Sequence, residues 1–116
     1  MTDNSKSIQN QLAELRQQYA ANLPGKIQLI EATWEKCLQD PRNEHLWKQM
    51  SADCHKLAGS GSSYGYPAVS QIARSLEHFC LKVIENECQI GAEQYQEIQD
   101  LLNKLKHSSI PSKESG

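Results

Sequence analysis

No apolar run in the 116-residue sequence approaches the ~20 consecutive residues that a membrane-crossing helix needs. Neither charge dominates: 12 basic against 14 acidic residues leave a formal net charge of −2, without the basic footprint of a nucleic-acid-binding domain. The opening "MTDNSKSIQN" is polar and lacks the hydrophobic region of a secretory leader. A cytoplasmic location is expected. No C-x-x-C pair occurs among Cys37, Cys54, Cys80 and Cys88, and their spacings fit no structural zinc pattern. His78 and Cys80 project from different helix faces. No metal site is expected, and the cysteines read as reduced thiols packed as small hydrophobes. Alternating strand patterns, internal repeats and extended heptads are also missing.

Apolar residues at helical intervals fill the chain instead. Ile8, Leu12, Leu15 and Tyr19 make one stripe, which "NLPG" interrupts at Pro24 and Gly25. Pro24 suits the first turn of a second helix carrying Ile27, Ile30, Trp34, Cys37 and Leu38. Pro41 bars continuation through "QDPRN". Asn43 or Asp40 is placed to cap a third helix with Leu46, Met50, Cys54 and Leu57 on one face. Val69, Ile72, Ala73, Leu76, Cys80 and Val83 mark a fourth helix. After Gly91, Tyr95, Ile98, Leu102 and Leu105 mark a fifth. The length supports one domain, and amphipathic helices with short connections predict an all-α antiparallel bundle.

The third helix carries its histidine on the wrong face for a core residue. His55 lies about 150° from the centre of the Leu46, Met50, Cys54 and Leu57 stripe, which exposes it. Its neighbours along that face are small: Ser51 one turn before, Ala58 and Gly59 one turn after, Ser62 two turns after. Gly in a helix interior costs about 1 kcal/mol relative to Ala. Either the helix ends at Gly59 as a C′ glycine, or Gly59 and Gly61 are retained because another surface approaches His55. The P-loop pattern is missing, since no Lys or Arg lies between Lys56 and Arg74. "GSGSSYG" follows no strand, so it is no dinucleotide fingerprint.

"HKLAGSGSSYGY", followed by "ARSLE", resembles the signature of histidine-containing phosphotransfer (HPt) domains. His55, Leu57, Gly59, Gly65 and Tyr66 occupy its positions, and Leu76–Glu77 matches a recurrent "LE". The resemblance implies an up-and-down four-helix bundle (about 24–39, 43–64, 67–87 and 92–107) with an additional N-terminal helix at about 6–21. Residues 1–5 are then a disordered start and 108–116 a flexible tail or linker. It also implies that the helix bearing His55 continues through Gly59 and Gly61 towards Tyr64.

By the same resemblance, His55 is the phosphoacceptor through Nε2, and Glu77 orients the imidazole by accepting from Nδ1–H. The family commonly has Lys where this sequence has Ala58, and Arg74 on the next helix is the residue expected to supply the phosphate-supporting charge. Lys56, adjacent to His55, points about 100° around the helix and is a poor substitute for that lysine. Ser51, Ala58, Gly59, Ser62 and Lys48 form the expected partner-docking strip. The implied protein is a monomeric phosphoryl carrier, not an enzyme, serving a response-regulator receiver domain, a histidine kinase or both. It has no cofactor of its own; Mg²⁺ belongs to the receiver. Two other readings stand beside it: a helical module that binds a receiver without being phosphorylated, and a hydrolase or transferase using His55 as general base. The last requires a cleft with converging polar groups.

Overall fold

The computed structural model describes the backbone of residues 4–109, which form four α-helices and no strand. These are α1 (Asn4–Gln39), α2 (Glu44–Ser63), α3 (Pro67–Glu85) and α4 (Ala92–Ser108). Of the expected loose ends, Asn4 and Ser5 open α1 and Ser108 closes α4. Residues 1–3 and 110–116 lie outside the described residues. α1 packs on α2 and α4, and α3 packs on α2 and α4. That ring of sequential contacts is the up-and-down bundle. No described helix is long and apolar enough to cross a membrane.

The separate N-terminal helix expected at 6–21 is not present. A single 36-residue helix runs through Pro24, so the break expected at "NLPG" does not occur. The reason lies in the buried stripe. Tyr19, Leu23, Ile27, Ile30, Trp34 and Cys37 are all buried and keep unbroken helical spacing across the proline. Pro24 and Gly25 are both exposed, on the outer side. A proline inside a helix forfeits one backbone hydrogen bond and costs about 3 kcal/mol. Each fully buried Leu or Ile returns about 1.5–3 kcal/mol, and three such residues bracket the proline. The first part of the stripe behaves differently: Ile8, Leu12 and Leu15 are exposed at 56%, 46% and 44%. Leu38, expected inside, is exposed as well.

The other helix ends follow local chemistry. The Asn43 side chain accepts from the His45 N–H at 3.1 Å, capping α2. Trp47 is fully buried and its Nε1–H donates to the Pro41 carbonyl at 2.7 Å. At the far end of α2 the Tyr66 N–H donates back to the Gly61 carbonyl at 2.7 Å. Gly65 takes φ +86°, the left-handed conformation that this Schellman closure needs. Pro67 then starts α3 at a position where no N–H is required. The Gln94 side chain accepts from the Gly91 N–H at 2.8 Å to start α4. Trp34 stacks edge-on against Trp47 with centroids 6.0 Å apart, and Met50, Leu76, Ile98, Leu102 and Leu105 complete the core.

Candidate functional site

α2 turns Met50, Cys54, Leu57 and Gly61 inward, and that phase sends His55 to the outside. The helix does not end at Gly59; it continues to Ser63. The His55 side chain is 75% exposed. Its Nδ1 lies 2.9 Å from Oε2 of Glu77, whose side chain is 23% exposed. The pair meets because α2 and α3 form an antiparallel hairpin, with Glu77 opposite His55. Nε2 makes no hydrogen bond among the described residues and faces solvent.

Around the imidazole is an open hollow of about 510 Å³, lined by Lys48, Ser51, Ala52, His55, Lys56, Glu77, Leu81 and Ile84. It is shallow and largely apolar, with no convergence of polar groups of the kind that a hydrolytic site needs. Lys48 is tied to Glu44 at 2.7 Å, a bond that raises its pKa.

The expected docking strip is only partly open. Gly59 and Ser62 are exposed. Ser51 and Ala58 are buried, with 7% and 3% of their surface accessible. Both fall on the flank of α2 that turns towards the core and α3, and the Ala58 carbonyl accepts from Ser70 Oγ at 2.6 Å. Ser51 contributes to the edge of the hollow; Ala58 does not. Arg74 is exposed, one turn from Glu77 on α3, and does not line the hollow. Lys56, which makes no salt bridge among the described residues, does line it. Leu81 and Ile84 were not anticipated as site residues. The available signal was Leu81 itself, an apolar residue out of phase with the α3 stripe and 45% exposed.

All four cysteines are free and buried. Burial pushes the Cys37 thiol up to about 11 and Cys80 up to about 12, and raises Cys54 further. No cluster of three or more His, Cys, Asp or Glu residues among the described residues is arranged to hold a metal ion.

The sequence model of the family described as "Hpt domain" matches residues 9–108. The chain belongs to the Hpt domain family. No curated protein and no solved structure matched it. Hpt domains are phosphocarriers, and membership implies a histidine phosphotransfer role in two-component signalling. The match covers all four bundle helices except the first residues of α1.

Proposed function

We propose that this Hpt domain carries a phosphoryl group on Nε2 of His55, taking it from a receiver phosphoaspartate or a histidine kinase and passing it to a receiver. The observation that carries this reading is the His55–Glu77 pair. A carboxylate 2.9 Å from Nδ1 favours the Nδ1–H tautomer, which leaves the Nε2 lone pair free to attack. The exposure of the ring lets an in-line donor approach.

In the transfer, the Nε2 lone pair forms a bond to phosphorus while the bond from phosphorus to the aspartyl oxygen breaks. The donor carboxylate leaves with the electron pair. The positive charge that appears on the imidazole is offset by the Glu77 carboxylate on the opposite nitrogen. Phosphoryl transfer depends on positioning and charge neutralisation, and on this reading the partner's Mg²⁺ and cationic groups neutralise the phosphoryl oxygens. Lys56, which lines the hollow, adds a local charge in place of the lysine that Ala58 replaces. Leu81 and Ile84 give the partner an apolar surface next to the reacting nitrogen, and Gly59 and Ser62 leave room on the other side.

The test is transfer from a phosphorylated receiver to wild type and to His55→Gln. Acid-labile, base-stable phosphate on wild type alone is expected. Equal labelling of both proteins sinks the assignment. Receiver binding without phosphohistidine from any donor selects the interaction-module reading instead.

A further inference from the structure

The bond between His55 and Glu77 is made by two side chains on separate helices, so something must hold the helices in register. The sequence points nowhere in particular for this, yet the structure contains a tight contact two turns away. Ser70 is buried, and its hydroxyl donates to the Ala58 carbonyl across the helix pair at 2.6 Å. Beside it, Gly61 is pressed against α3. A Cβ at position 61 would meet the Ser70 nitrogen at 3.2 Å, the Tyr66 carbonyl oxygen at 3.3 Å and Val69 Cγ1 at 3.3 Å. The same glycine's carbonyl accepts from the Tyr66 N–H that closes the hairpin.

Ser70 and Glu77 are seven residues apart on α3, two helical turns, and therefore share a face. Gly61 and Ser70 meet at the hairpin end of that face, and His55 and Glu77 meet about two turns further along, near the middle of both helices. Between them Ala73 is fully buried, so α3 lies close along α2 over the whole interval. N–H···O hydrogen bonds keep their strength only between about 2.7 and 3.2 Å. A side chain at position 61 forces its neighbours to give by a few tenths of an ångström. That displacement is as large as the slack in a 2.9 Å bond.

The geometry points to Gly61 and Ser70 as a latch that sets the α2–α3 register on which the His55–Glu77 bond depends. Ser70 is thus a positioning residue for the imidazole. It acts through the backbone of α2 and through Glu77, and touches neither the ring nor a phosphoryl group. This inference rests on the reading of His55 as the working residue of the site.

The test reads the tautomer of His55 directly, by long-range proton–nitrogen NMR on the full, unphosphorylated chain at a pH where imidazole is neutral. Wild type is expected to show mainly Nδ1–H, and Glu77→Ala mainly Nε2–H, as a solvated histidine side chain does in water. Ser70→Ala and Gly61→Ala, each checked for an intact fold by circular dichroism, are expected to lose at least half of the Nδ1–H population. Ile98→Val, a core change on α4 rather than on either latch helix, is expected to leave the tautomer at its wild-type value. The inference is overturned if either latch variant folds and retains the wild-type tautomer ratio. It is equally overturned if Ile98→Val shifts the ratio as far as they do. No receiver or phosphate enters this experiment, so its failure is separate from a failure of phosphotransfer to His55.

Discussion

Gly59 and Gly61 stand two residues apart in one helix, in opposite surroundings. Nothing lies within 4 Å of a Cβ built at Gly59, while one built at Gly61 meets α3 backbone at 3.2 Å. Helix propensity alone makes Gly59→Ala stabilising by about 1 kcal/mol, and the open space offers no opposing term. Gly61→Ala gains the same propensity but must push α3 away, and is expected to be net destabilising. Urea denaturation of the two variants checks the pair of signs. Gly59→Glu is expected to fold normally and to slow transfer from a phosphorylated receiver at least tenfold; unchanged transfer shows that no partner passes over that face. The exposed phase of His55 was legible in the sequence, because it follows from the Met50, Cys54 and Leu57 stripe alone. The burial of Ser51 and Ala58 was not. Both lie between the core stripe and the exposed face, and which way such flanking positions fall depends on where α3 lies.

At the scale of the element, α1 teaches the most. Pro24 and Gly25 are ordinary breakers by local rules, and Leu23 beside them is fully buried. Reading the stripe as Tyr19, Leu23, Ile27 shows that the helical phase never breaks; reading only the proline gives two helices. Tertiary burial wins over local propensity here. Pro24→Ala should therefore raise stability, by up to about 3 kcal/mol, since Pro24 is exposed. A fall in the denaturation midpoint would show that the proline serves a bend. Leu23→Ala is expected to cost about 2–5 kcal/mol, whereas Leu12→Ala and Leu15→Ala, at exposed positions, stay within about 0.5 kcal/mol. The α2, α3 and α4 boundaries were legible to within a residue or two, because Asn43, Pro67 and Gly91 mark helix starts by capping chemistry that acts locally.

The whole molecule carries the consequence of that single long helix. The radius of gyration is 16.8 Å and the extents are 62 × 29 × 18 Å, against about 13 Å expected for a compact chain of ~100 residues. Small-angle scattering of the single chain at dilute concentration should return a value near 17 Å; a value near 13 Å would mean that the N-terminal half of α1 folds back. The core also predicts a pH dependence. Cys37 and Cys80 are raised by burial from 9.0 to about 11 and about 12. Their stabilising contribution is complete below the unfolded value and is lost as pH rises through the folded values. Denaturation midpoints should fall from pH 9.0 upward, with a shallower fall in Cys37→Ala and Cys80→Ala. Equal slopes in all three proteins would remove these two thiols as the cause.

The central claim is that the exposed imidazole of His55, held by Glu77, is where the phosphoryl group resides. The most direct measurement is mass-spectrometric mapping of phosphate after incubation with a phosphorylated receiver, under conditions that preserve phosphohistidine. The account predicts one acid-labile phosphate on the peptide carrying His55, absent from His55→Gln and formed several-fold more slowly in Glu77→Ala. Phosphate on His45, His78 or His107, or labelling that persists in His55→Gln, would contradict it.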